Sequence, residues 1–171
     1  MKANFFSRQG TILILGFALF TMMFNSCKKD DAGNGGEYFI RFKANGTQVD
    51  FAVQGSLTAA FGQAGNQFNA VFSGGDATSN ISLQVFDNKA IAEANYTGYG
   101  IVGSSVVGAL IGYSDKTGTL YTQGSVGSNA TITITELAAT TVRGTFGGTV
   151  KATGKPDILI TQGEFFVWRA N

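Results

Sequence analysis

Between Glu37 and Arg169 the apolar side chains recur at every second position, in short runs closed by glycine, asparagine or aspartate. A period of two places alternate side chains on opposite faces of an extended strand, so one face can be buried while the other meets water. Tyr38, Ile40 and Phe42 alternate with Phe39, Arg41 and Lys43, and Asn45-Gly46 follows. Both residues of that pair accept positive φ, which a two-residue hairpin needs. Val49, Phe51 and Val53 return in register. The same pattern recurs at Leu57–Phe61 and Gln67–Phe72 around Ala64-Gly65-Asn66, with a break expected at Ser73-Gly74-Gly75-Asp76. It continues at Asn80–Phe86, Val106–Tyr113, Thr119–Gln123, Ala130–Leu137 and Thr141–Ala152. It ends at Ile158–Thr161 and Gly163–Arg169, the latter with Phe165 and Val167 opposite Phe166 and Trp168. Gly108 and Gly112 mark a close approach or a bulge. Only Lys89–Asn95 has helical character, for two turns at most, with a loop as the alternative.

About ten strands at spacings of about 8 to 15 residues predict an all-β fold. An antiparallel β-sandwich comes first and a lipocalin-like β-barrel second. Twenty-four glycines against one proline, with frequent Thr, Val, Ile and Phe, fit strands joined by glycine turns. An outer-membrane barrel lacks its signature, a uniform apolar outer band.

The chain begins differently. Lys2 and Arg8 precede a 14-residue apolar run, Thr11–Phe24, and Lys28-Lys29-Asp30-Asp31 closes it. The run suits the h-region of a signal peptide and falls short of the roughly 20 residues of a bilayer-spanning helix. Asn25-Ser26-Cys27 then places the only cysteine at a polar-small-Cys junction. This junction resembles the lipobox of bacterial lipoproteins, with Phe24 and Asn25 departing from the usual pattern and Ser26 matching it. The resemblance implies cleavage before Cys27 and acylation there. Buried methylenes, at about 0.8 kcal/mol each, make such an anchor effectively permanent. The charges that follow, Lys29, Asp30 and Asp31, resemble the surface-export signal of Bacteroidota lipoproteins. The organisation expected is a signal peptide over 1–26, a lipidated Cys27 with a glycine-rich tether over 27–36, and one β-domain over 37–171. The expected location is the outer membrane, cell-surface exposed, with its periplasmic face as the alternative.

Removing residues 1–27 leaves 144 residues with ten basic and eleven acidic side chains, a net charge of −1. Scattered, balanced charge supplies no electrostatic case for nucleic acid. The chain has no histidine, which removes Ser-His and Cys-His nucleophile pairs and the common zinc sites. Gly98-Tyr99-Gly100-Ile101-Val102-Gly103 matches G-x-G-x-x-G, but nucleotide binding needs a helix behind the motif, and its neighbours read as loop and strand. Asp76, Asp87, Asn88 and Asp115 stand at turns, where they cap their own backbone or supply calcium oxygens; neither a metal site nor a cofactor is expected. Glu93, Glu136, Asp157 and Glu164 form no close acidic constellation, so an enzyme, a glycan-active hydrolase, is the least favoured reading.

The aromatics Tyr96, Tyr99 and Trp168 are the candidate ligand contacts, since flat rings on a rim or face stack on sugars or grip peptides. Tyr96 and Tyr99 sit in a glycine-rich segment of the kind that often carries binding residues. Thr141–Thr149 (Thr-Val-Arg-Gly-Thr-Phe-Gly-Gly-Thr), Gln162–Phe165 and Phe42–Gly46 are similar to segments of small uncharacterised Bacteroidota lipoproteins. That resemblance implies an all-β extracytoplasmic domain and transfers no catalytic residue. The function expected is a membrane-tethered ligand-binding module, with glycan as one ligand class. A structural or accessory lipoprotein binding an envelope protein is the alternative.

Overall fold

The computed structural model of the chain describes residues 38–53, 55–123 and 128–170. The expected signal peptide and tether, Cys27 and the Lys29-Asp30-Asp31 run lie outside the described residues. Residues Glu37–Asn171 form one compact unit.

The fold is all-β, a sandwich rather than a closed barrel, with twelve strands among the described residues where about ten are expected. In chain order these are β1 (Phe39–Ala44), β2 (Thr47–Phe51), β3 (Thr58–Ala64), β4 (Gln67–Gly75), β5 (Asn80–Asp87) and β6 (Asn95–Thr97). They continue as β7 (Tyr99–Val102), β8 (Ser105–Ser114), β9 (Leu120–Thr122), β10 (Thr131–Leu137), β11 (Thr141–Val150) and β12 (Ile158–Arg169). One layer runs β2-β1-β12-β11-β10-β6 and the other β3-β4-β5-β8, with β7 and β9 both on β8. β12 joins them: it pairs antiparallel with β1 and β11, and its last residues, Trp168 and Arg169, pair parallel with Thr58 and Ala59 of β3. Among the described residues that parallel pair is the one departure from the expected antiparallel pattern. At the other corner Gly98, at positive φ, donates its N–H to the Ala130 carbonyl and accepts at its own carbonyl from Ala109 N–H, so one residue links β10 to β8.

The core is aromatic. Phe165 of β12 stacks on Phe72 of β4 at 4.8 Å, and Phe42 of β1 meets Tyr113 of β8 edge-on at 5.3 Å. Such pairs add about 0.5–1.5 kcal/mol beyond their area burial. Small residues make room for the rings. A Cβ at Gly144 would collide with the Thr133 carbonyl oxygen and the Phe165 ring, and one at Gly163 with the Phe146 carbonyl and ring.

Several expectations are corrected. Ser73-Gly74-Gly75 is no break: β4 runs through it, because buried Gly74 lets Leu57 and Ile40 pack against the strand. Lys89–Asn95 forms no helix. The Tyr96 hydroxyl accepts from Ala92 N–H and donates to the Ala92 carbonyl, both at 3.0 Å, which closes the segment as a loop. Val53 lies past the end of β2 and is exposed. The last two apolar runs are one continuous strand.

That continuity comes from Gln162. Phe42 alone faces Gln162 and Gly163, and Gly147 alone faces Thr161 and Gln162, so β12 carries one residue more than either neighbour. Gln162 is that residue, in the left-handed region at φ 53. A bulge shifts the alternation by one. Ile160 points inward, and so do Gly163, Phe165 and Val167 beyond it. Without the bulge the second set would face water.

Replacing Gly144 by Ala is expected to cost about 1–3 kcal/mol through overpacking. Urea unfolding of residues 37–171 measures it; an unchanged midpoint would contradict the tight packing of Phe165 against this glycine.

Candidate functional site

The bulge also shapes the outer surface. A groove of about 560 Å³ opens over it, lined by Arg41 of β1, Gln48 of β2, Thr145 and Phe146 of β11, and Gln162, Gly163 and Glu164 of β12. The register sets these neighbours. Arg41 lies opposite Glu164, and Glu164 opposite Thr145, so all three side chains share the solvent face. Arg41 donates from both Nε (3.1 Å) and Nη2 (2.9 Å) to Glu164 Oε2. Both side chains are about half exposed, so this pair contributes little to stability, of order 0–1 kcal/mol. It does hold two planar polar groups at fixed places. Among the described residues nothing bonds to Glu164 Oε1, Arg41 Nη1, the Gln162 amide or the Thr145 hydroxyl.

Gln162 costs stability. A non-glycine residue held in the left-handed region costs of order 1–3 kcal/mol, and such strain clusters at binding and active sites. Glycine would accept the same backbone more cheaply. The chain instead carries a long amide there, exposed, at the mouth of the groove.

The sequence-predicted aromatics are placed apart. Trp168 is 44% exposed and shares the groove's face, two alternations beyond Glu164. At about 3.3 Å per residue that is roughly 13 Å along β12. Between them Phe166 is covered by the Arg143 guanidinium at 3.7 Å and by Tyr38 at 5.2 Å. Arg41 likewise lies over Phe39 at 4.1 Å. Tyr96 is a core residue, 6% exposed, and burial raises its pKa. Its ring presents no face to a ligand, which corrects the expectation for it. Tyr99 is half-buried on β7, against Phe86 at 6.3 Å, in the other layer. The groove residues escape sequence reading because the alternation that places them is interrupted at Gln162. That interruption is the one signal that could have found them.

The four carboxylates considered for catalysis are engaged separately. Glu136 meets Arg143 at 3.4 Å and Asp157 meets Lys151 at 3.2 Å. Glu164 holds Arg41, and Glu93 accepts from Leu137 N–H at 3.0 Å. Among the described residues no group of three or more Cys, His, Asp or Glu stands together. The Gly98–Gly103 motif holds β7 and leads into β8, a strand, so the helix a nucleotide phosphate requires does not follow it. Asp76 Oδ1 accepts from Thr78 N–H (2.7 Å), Ser79 N–H (2.8 Å) and the Thr78 hydroxyl (2.9 Å), and Asp115 Oδ1 serves Thr117 and Thr119 in the same way. These bonds favour the charged carboxylate and lower the pKa of both, that of Asp76 to about 2.

No protein family, curated protein or solved structure matches the chain. What the groove can do therefore follows from its own chemistry.

Two outcomes are expected. Gln162→Gly should raise the stability of residues 37–171 by about 1 kcal/mol through relief of strain; a loss measured by urea unfolding would show that the site is unstrained. Because Asp76 titrates lower in the folded state than in the unfolded chain, its contribution is full above about pH 4 and is lost as pH falls towards 2. The difference in Tm between wild type and Asp76→Ala should therefore shrink from pH 5 to pH 2. A constant difference would contradict the turn as described.

Proposed function

We propose that the chain is a lipid-anchored, ligand-binding β-sandwich displayed at the outer membrane, and that its ligand is a neutral, polyhydroxylated one of the glycan class. The observation that carries the binding part is Gln162, a long amide side chain kept on left-handed backbone in the lining of a mixed polar and apolar groove, where glycine would fold at lower cost. The groove mixes donors and acceptors: guanidinium, carboxylate, two amides and a hydroxyl. Sugar hydroxyls both donate and accept, and planar groups engage them in pairs. Arg41 and Glu164 cancel in charge, which favours a neutral ligand over an ion. Trp168 offers a ring face farther along β12 for an extended chain. The anchor part rests on the Cys27 junction and the charges after it.

A glycan array probed with residues 37–171 tests the ligand. Binding to neutral oligosaccharides that falls at least tenfold in Gln162→Gly and in Arg41→Ala is expected; equal binding by all three proteins would remove the groove from the reading. For the anchor, Cys27→Ser expressed as the full chain should accumulate as an uncleaved precursor or leave the membrane fraction. Unchanged membrane retention and unchanged mass would contradict lipidation.

A further inference from the structure

The outer face of the other layer carries no charge at its outward strand positions. Core-facing residues alternate along β3, β4, β5 and β8, so the positions between them face out. One register row across the four strands is Ala60, Val71, Gln84 and Leu110. In the next row toward β7, Phe86 and Tyr99 meet across Gly108, which has no side chain to separate them. No outward position on β3, β4, β5, β7 or β8 is Asp, Glu, Lys or Arg. Charged side chains stand at the border of this face: Asp76, Lys89, Asp115 and Lys116 beyond the strand ends and Asp87 as the last residue of β5. A charge-depleted centre with a polar rim is the composition of a protein interface.

Two further features are complementary to each other. Ile101 of β7, 66% exposed, projects beside the end of the face where β8 begins. At the end where β5 begins lies an open depression of about 750 Å³, mainly apolar, between Val53, Ser73, Gly75, Asn80 and Ser82, with the Asp76 carboxylate also in its lining. A two-fold interface brings one end of a surface to the other end of its copy, so a projection at one end and a hollow at the other suit each other.

We infer that two copies of this chain meet here, sheet to sheet about a two-fold axis, with Ile101 of each entering the depression of the other. An uncharged face does not repel its own copy, which a charged face would do. Two sheets of identical twist also pack aligned at about 30°, as sheets do within sandwiches. Strand and row spacings make the face roughly 20 by 26 Å, which over two copies buries on the order of 1,000 Å². That is the lower bound for a specific interface, so the dimer is reversible and depends on concentration. The groove lies on the opposite layer and takes no part in this contact.

Sedimentation equilibrium of residues 37–171, from about 1 µM to about 300 µM, tests it. A monomer–dimer equilibrium is expected, abolished in Ile101→Asp and Leu110→Lys and retained in Arg41→Ala on the groove face. Ile101 is exposed, so Ile101→Asp should keep the wild-type Tm, which separates lost association from lost folding. A monomer at every concentration, as when the face serves a different protein, overturns the inference. So does a dimer that Ile101→Asp leaves intact.

Discussion

Phe165 stacks on Phe72 across the interior, and it faces inward because Gln162 adds one residue to β12. The dependence is simple. Ile160 and Phe165 are five apart, an odd separation, and an unbroken strand would send one of them to water. The bulge resets the alternation, so the same strand pairs with Ala44 and Gly148 through Ile160 near its start, packs Phe165 against Phe146 beyond the bulge, and pairs with β3 at its end. The glycines that flank the rings, Gly144 and Gly163, belong to the same arrangement, since no larger residue fits beside Phe165 and Phe146.

The bulge that orders the interior also roughens the exterior. On a regular sheet the outward side chains of neighbouring strands stand in even rows, and a flat surface results. The extra residue displaces the row and leaves a groove flanked by the Arg41–Glu164 pair. The opposite layer has no such irregularity in its central pairings: β3, β4, β5 and β8 run in unbroken register. Its surface is correspondingly even and uncharged. One layer thus carries a groove and an ion pair, and the other an even surface whose outward strand positions are uncharged. The single chemical difference behind this is where charge and bulge are placed.

Most strands were legible because period-two alternation and Asn-Gly or glycine turns are local signals; Asn45 at φ 47 and Gly46 at φ 84 form the hairpin those residues imply. What was not legible depends on particular side-chain contacts that composition does not show. Ser73-Gly74-Gly75 has the composition of a turn, and what makes Gly74 a strand residue is the packing of Leu57 and Ile40 against it. Lys89–Asn95 has helix-forming residues, but the hydroxyl of Tyr96 outcompetes a helix for the Ala92 backbone. Of the three aromatics singled out, Trp168 stands on the groove's face, Tyr99 on the other layer and Tyr96 in the core. Ring chemistry alone does not distinguish these positions. The groove itself was visible only as a gap in the alternation at Gln162, and a gap of that kind reads equally as the end of a strand.

The proposed role rests on the groove as the place where ligand is held. Amide chemical-shift mapping of residues 37–171, titrated with a mixture of neutral oligosaccharides, tests that most directly. Shifts concentrated at Arg41, Gln48, Thr145 and Gln162–Glu164, extending along β12 towards Trp168, are the expected result. Shifts centred on β3, β4, β5 and β8, or none at saturating sugar, would contradict it.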